Sequence, residues 1–544
     1  MKLRLAALPL IILLACTLVS ASAYNGQPKL VVVIIIDQFR GDYLDRAHDH
    51  LGPDGFRLFT DRGAYFANCN YNYANTRTAP GHATLFTGAY SNGHGILANE
   101  WWDPAKKKMV TSVEDDTTHL IGISGSESGA SPRTLQADTI GDELKLATQG
   151  KARVFAISLK DRSAILPGGF SANGAYWIDH ISGAWITSSY YMNSLPTWVQ
   201  QFNASGEADK YWNREWKDSA GRVLRNTNKP SEKADFYGTI GSTPFANDYQ
   251  LDFARAVITN EKLGQGPVTD LLVISLSAND ILGHQVGPDS PQIEAMALAL
   301  DHQLSEFFAF LGKQIGLGNV WLALSADHGV SPMPSVAEGF RLPAANLDER
   351  QLSTKLNEIL SARFGAGKYV PNGGLSWPVL FLDENAFAAA KVSEAEAEQA
   401  AGEALKQIGM RSYFMRTQLA DFHVPPDELG RKYLHSYSPV PSWYVLGIAP
   451  PSYVGTRSGT DHASPYNYDT HVPLAFFGLP FQPGVYRIHS ESVDMAATLA
   501  SLLGINAPNS AVGRVLTEAL RNPPDLSARR GIMVPADTNK EPKH

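Results

Sequence analysis

The stretch Leu30-Val31-Val32-Val33-Ile34-Ile35-Ile36-Asp37 decides the fold. Seven consecutive β-branched or aliphatic residues, with no polar alternation, describe a strand buried on both faces, which is the habit of parallel sheets covered by helices. Three more runs share the pattern and its ending. Val154 to Leu159 stops at Lys160, Leu271 to Ser277 leads into Asp280, and Trp321 to Ala326 stops at Asp327-His328. In open sheets of this kind ligands bind beyond the carboxyl ends of the strands. Chelating or charged groups at four such ends therefore converge on one composite site. The fold class expected is α/β, a mostly parallel central sheet with helices on both faces and long cap insertions.

The remaining sequence sets the boundaries. Of 544 residues, 44% are hydrophobic and 18% charged, the proportions of a globular chain with a large core, and the net charge of −8 argues against a nucleic-acid or anionic-membrane surface. Lys2 and Arg4, the apolar stretch Leu5 to about Val19 and Ala21-Ser22-Ala23 match a secretory signal over 1–23. Leu14-Ala15-Cys16 leaves a lipoprotein signal as the alternative. The mature chain is then exported, periplasmic or secreted, and Cys69 is its lone cysteine, read as a buried structural thiol. The core domain spans 24–521. Insertions are expected at about 101–252, rich in Trp, Tyr, Ser, Gly and Asn, and at about 333–455, with a polar tail over 522–544 and no internal repeats. Pro291 to Gly312 carries apolar residues at helical spacing, and Ser393 with Glu396 marks the start of another helix.

Asp37, Asp280 with His284, Asp327-His328, and His471 in Tyr468-Asp469-Thr470-His471 supply nitrogen and oxygen ligands of the types that suit Zn²⁺, with no thiolate to suggest a purely structural site. Taken singly, a strand-end Asp is a helix cap or a surface group. In Thr76-Arg77-Thr78-Ala79-Pro80-Gly81-His82 a hydroxyl precedes a Pro-containing first turn, so Thr78 reads as the N-cap of a helix whose free N–H groups favour an anion. No G-x-S-x-G elbow is present, and a metal can supply the activation that a threonine hydroxyl needs.

Together these motifs resemble the two-zinc branch of the alkaline phosphatase superfamily, most nearly bacterial alkaline phosphatases with a threonine nucleophile, which are similar to nucleotide pyrophosphatase/phosphodiesterases. The resemblance covers essentially the whole mature chain and includes Asn99 in Asn99-Glu100-Trp101-Trp102-Asp103 and Lys160-Asp161-Arg162. It implies two Zn²⁺ per subunit, one held by Asp280, His284 and His471, the other by Asp37, Asp327 and His328 with Thr78 as the reactive fourth ligand. It implies monoester hydrolysis through a phosphothreonine on Thr78, with Asn99, Lys160 and Arg162 gripping the phosphate. Small phosphate monoesters are the expected partners of a monomer or weak oligomer that has no stable membrane anchor after signal cleavage. Phosphodiesterase or pyrophosphatase activity is the nearest alternative, and a non-catalytic zinc or phosphate-binding protein a more distant one. Sulfatases share the fold but place a modified Cys or Ser in C/S-x-P-x-R, where this chain has Thr78-Ala79-Pro80-Gly81-His82. His462 reads as a residue behind the ligands or, at least as readily, as a satisfied surface or core histidine, and His82 is expected outside the metal shell.

Overall fold

Strand β1 (Leu30–Ile36) is buried at all seven positions, and it lies between β7 (Asp270–Leu276) and β8 (Val320–Ser325), parallel to both. Val33 faces Val273 on one side and Ala323 on the other. A run without polar alternation therefore sits where water reaches neither face. The computed structural model describes residues 26–123, 125, 128–228 and 235–521. The signal expected over 1–23, Cys16 within it, and the tail expected over 522–544 lie outside the described residues.

Among the described residues the central sheet has eleven strands. Besides those three, it contains β2 (Ala64–Asn70), β3 (Leu120–Ile121), β4 (Val154–Ser158), β5 (Gly174–Ile178), β6 (Trp185–Ser188), β9 (His471–Phe477), β10 (Gly484–Tyr486) and β11 (Ser490–Glu491). The order is β10-β2-β9-β8-β1-β7-β4-β5-β6-β3, with β11 also on β2. From β8 through β1, β7 and β4 to β5 all pairs are parallel, while β9 runs antiparallel between β8 and β2. The parallel block brings the carboxyl ends of β1, β7, β8 and β4 to one edge, which is the geometry the site needs. Cys69, in β2, is buried and has no disulfide partner among the described residues, and burial raises its thiol far above the ordinary range.

Four helices matter for the site or its support: α1 (Thr78–Thr87), α2 (Asp161–Gly168), α3 (Ala278–Val286) and α4 (Pro291–Gln314). Ser290 caps α4 by accepting from the Ile293 N–H, and the expected apolar stripe from Ile293 to Leu311 is its buried face.

The segment 101–252 is less of an insertion than expected, because beyond the anticipated strand β4 it also contributes β3, β5 and β6 to the central sheet. Several of its aromatic residues, Tyr176, Trp185 and Tyr249 among them, belong to the main core, while Trp101 and Trp102 pack with Val379 and Phe381 of the second insertion. Trp185 of β6 is fully buried and stacks on Phe253 with ring centroids 3.9 Å apart. The segment 333–455 does carry a structure of its own: Leu375–Ser376, Val379–Phe381, Ser412–Met415 and Tyr444–Ile448 form an antiparallel four-stranded sheet. Helices Glu349–Phe364 and Glu394–Gln407 add Leu356, Leu360 and Leu405 to its separate apolar core. Ser393 caps the second of these helices by accepting from the Glu396 N–H.

Candidate metal centre and nucleophile

Asp37 follows β1 directly, and its N–H donates to Leu276 O of β7 at 3.0 Å. Asp327 and His328 lie just past β8. Ligand atoms of Asp37, Asp327 and His328 all fall within 4.8 Å of one another, and all three residues are buried. His328 Nε2 stands 3.6 Å from Asp37 Oδ1 and 3.5 Å from Asp327 Oδ2. The His328 Nδ1–H donates to Gly329 O at 2.9 Å, which fixes the tautomer and turns the Nε2 lone pair into the group. Asp37 Oδ1, Asp327 Oδ2 and His328 Nε2 are all buried without a hydrogen-bond partner among the described residues. One such atom costs about 1–3 kcal/mol and three together would be a heavy burden. Burial and the adjacent Asp37 carboxylate also push Asp327 well above the usual carboxylate range. A divalent cation satisfies all three atoms and removes the repulsion, so this donor set fits a metal.

A second group stands beside it. Asp280 and His284 lie one turn apart on α3, with His284 Nε2 3.1 Å from Asp280 Oδ1, and the third member is His462. His284 Nδ1 bonds to Thr460 O at 2.9 Å and His462 Nδ1 to Thr76 O at 2.7 Å, so both rings present Nε2 toward Asp280. Carbonyl partners of this kind orient ligating histidines. Burial opposes a charge on His284, yet the Asp280 carboxylate outweighs it and carries the imidazole up to about 10. The two groups touch, since the His462 ring stacks on His328 with centroids 3.7 Å apart.

His471, expected with Asp280 and His284, is not part of this group. It is the first residue of β9, paired with Asn70, and its Nε2 meets Ala67 O at 3.0 Å. A Cβ at position 41 would lie 2.6 Å from the imidazole, so Gly41 exists in part to admit that ring. Strand pairing holds His471 against the sheet. The irregular segment from Thr460 to Ser464 instead folds over α3, where Thr460 N–H donates to His284 O, and delivers His462. Its sequence signal was the Asp461-His462 pair, which repeats Asp327-His328.

Thr78 is buried as the first residue of α1, and Arg77, with extended φ −125° and ψ 161°, is the N-cap. Thr78 therefore lies one position inside its expected place, still in the turn whose N–H groups are free of intrahelical partners. The Ala79 N–H of that turn donates to Asn99 Oδ1 at 2.8 Å, which leaves the Asn99 NH₂ as a donor. Gly81 brings the turn onto Asp327: a Cβ there would stand 2.3 Å from Asp327 O. His82 Nδ1 bonds to Thr78 O at 2.8 Å while its Nε2 meets Ser275 Oγ at 2.8 Å. Burial lowers His82 to about 4, so it is a neutral brace between α1 and β7.

Lys160, expected to hold phosphate, caps α2 with its ammonium 2.7 Å from Asp37 Oδ2 and 2.6 Å from Asp280 Oδ2. It thus bridges one carboxylate from each group. Burial disfavours its charge, but these two carboxylates more than compensate and hold it protonated. Arg162 lies in the first turn of α2 with its Nε buried and without a hydrogen-bond partner among the described residues. Sequence reasoning missed Gln38. Its N–H donates to Asp327 Oδ1 at 3.1 Å and its Nε2 to Asp280 Oδ1 at 2.7 Å, from a backbone with φ 61°. Only that left-handed φ turns both donors onto the two groups, and no spacing rule foretells it.

Two carboxylate–histidine groups and a helix-start hydroxyl thus meet beyond the parallel strands, and comparison with known proteins places the chain among the phosphate-ester hydrolases of the alkaline phosphatase superfamily. A model of the type I phosphodiesterase / nucleotide pyrophosphatase family matches residues 31–402, and the chain belongs to that family. It is 35% identical over 520 residues to alkaline phosphatase PhoV of Synechococcus elongatus, covering 91% of this chain and 94% of that one. It is 34% identical to a protein of Myroides odoratus named a calcium-transporting ATPase, over 92% of this chain and 96% of that one. Alkaline phosphatase PafA of Elizabethkingia meningoseptica is 32% identical over 91% of this chain and 95% of its own length. The crystal structure of wild-type PafA superposes with a TM-score of 0.82 over 91% of this chain and 99% of that one, at 30% identity. A second PafA structure carries replacements of one threonine, one asparagine, one lysine and one arginine together.

Proposed function

We propose that this chain is a zinc-dependent alkaline phosphatase that hydrolyses phosphate monoesters through a phosphothreonine on Thr78. The observation that carries the reading is the trio of buried, unpartnered ligand atoms on Asp37, Asp327 and His328, against which Gly81 packs the first turn of α1. Asp37, Asp327 and His328 would hold one ion and Asp280, His284 and His462 the other, with Thr78 completing the first set. Two divalent cations there would supply the positive charge that eases proton loss from an entering hydroxyl and balances charge on a leaving oxygen.

The chain's own part is displacement and positioning. Thr78 Oγ forms a bond to phosphorus as the ester P–O bond breaks, and the proton it loses is balanced by the one the departing oxygen gains as the alcohol leaves. Water then attacks the phosphothreonine, the Oγ–P bond breaks, and one water proton restores the Thr78 hydroxyl as inorganic phosphate is freed. Asn99 Nδ2, the Lys160 ammonium and the Arg162 guanidinium are the donors for the non-bridging oxygens. The four residue types replaced together in the PafA variant recur here, in the same chain order, as Thr78, Asn99, Lys160 and Arg162. That correspondence supports their assignment as nucleophile and phosphate grip.

Monoester preference follows from charge. A monoester dianion leaves more charge on its non-bridging oxygens than a diester monoanion, so it gains more from Lys160 and Arg162. The test is kcat/KM on a matched monoester and diester. Wild-type enzyme is expected to favour the monoester, and Lys160→Ala or Arg162→Ala to cost monoester turnover about tenfold to a hundredfold, as expected for loss of a charged hydrogen bond, with less effect on the diester. A wild-type preference for the diester would instead make the chain a phosphodiesterase, the activity in its family's name.

The revised ligand set is tested by metal analysis after dialysis. His462→Ala is expected to retain one zinc per chain, whereas His471→Ala retains two. The reverse pattern would restore His471 as a ligand. The leader-like N-terminus supports an exported, periplasmic or secreted enzyme acting on small phosphate monoesters, and no helix among the described residues is long and apolar enough to cross a membrane.

A further inference from the structure

His462 comes from a segment with no regular secondary structure, yet it has to meet Asp280 and His284 on a helix. What holds it is Thr76, two residues before Thr78. Thr76 is fully buried and all its polar capacity on this side is spent on one loop. Its carbonyl bonds to His462 Nδ1 at 2.7 Å, its hydroxyl donates to Ser464 O at 3.0 Å, and the same hydroxyl accepts from Ser464 N–H at 3.0 Å. The histidine and the residue two positions beyond it are thus clasped by a single threonine. Between them Ala463 is buried with φ 83°, a left-handed conformation that a residue with a Cβ adopts when its neighbours are pinned. Ser464 Oγ in turn donates to buried Asp469 Oδ2 at 2.5 Å, and Asp469 O accepts from Gly329 N–H at 2.7 Å, next to His328.

We propose that Thr76 is a positioning residue that sets His462 and Thr78 in one frame, so that the ion held with Asp280 and His284 keeps a fixed place relative to the nucleophile. The proposal rests on the two-zinc reading above. A hydroxyl that both donates and accepts across the clasp explains why a threonine or serine is needed there and an apolar isostere would not serve. Valine would keep the shape while leaving Ser464 N–H and O unpaired and the loop free to shift.

The test compares Thr76→Val and Thr76→Ser by zinc titration against a competing chelator, with steady-state kinetics on the same samples. Thr76→Val is expected to weaken one of the two zinc sites about tenfold to a hundredfold, the usual effect of losing a group that orients a ligand, and to lower kcat with KM nearly unchanged. Thr76→Ser, which keeps the hydroxyl, is expected to bind both ions within about threefold of wild type. If Thr76→Val does not fold, Thr76→Ala, which leaves room for water to reach Ser464, is carried through the same titration. Wild-type affinity at both sites in the valine or alanine variant, or an equal loss in the serine variant, would overturn the role of Thr76. Failure of the wild-type enzyme itself to bind two zincs would instead refute the metal reading.

Discussion

Thr78→Ala is expected to lower monoesterase kcat/KM by about 10⁴-fold or more while the protein keeps both zincs. The size follows from what is lost: the alanine variant has no group to form the phosphoenzyme, and removal of a covalent nucleophile commonly costs 10⁴ to 10⁶. Metal retention follows from the donor count. Asp37, Asp327 and His328 form one group and Asp280, His284 and His462 the other without help from residue 78. Thr78→Ser, which keeps a hydroxyl at the start of α1, is expected to retain most of the activity. Full turnover by Thr78→Ala, followed with a chromogenic monoester, would remove the threonine from the mechanism. Loss of zinc along with activity would show that Thr78 acts as a structural ligand.

Complete chelation is expected to abolish turnover and to lower the melting temperature, both reversible on adding zinc. Asp37, Asp280 and Asp327 are all buried around one centre, where the Lys160 ammonium contacts Asp37 and Asp280 directly. Asp327 is approached by the imidazoles of His82 and His328, and among the described residues its Oδ2 has no hydrogen-bond partner. A ligand bound only by the folded state, present at 100 to 1,000 times its dissociation constant, stabilises by about 2.7–4.1 kcal/mol. Thermal melts with and without chelator measure this directly. Unchanged melting and undiminished turnover in metal-free enzyme would mean that the buried carboxylates serve packing alone.

The residues that were legible in the sequence are those whose position a periodic element dictates. Asp37, Asp280, Asp327 and His328 could be placed together because largely apolar, strand-like runs end beside them, and His284 because it is one helical turn from Asp280. His462 was not assigned as a ligand because nothing periodic surrounds it. Its place depends on a clasp to Thr76, 386 positions away. His471 looked equivalent in sequence but is committed to strand pairing with Asn70. Lys160 was found at a strand end, while its bridge between Asp37 and Asp280 is a tertiary fact. The segment 101–252 misled for a compositional reason, since β5 and β6 are built from Gly, Trp, Tyr, Thr and Ser in place of aliphatic runs. Their burial depends on aromatic stacking that no periodicity records.

The covalent step is the centre of the account, and one measurement reaches it directly. Enzyme quenched in acid during turnover of a monoester labelled in its phosphate, then digested and mapped by mass spectrometry, is predicted to carry the label on Thr78 of the peptide containing Thr76-Arg77-Thr78-Ala79-Pro80. Label on another residue, or none in an enzyme turning over at full rate, would contradict it.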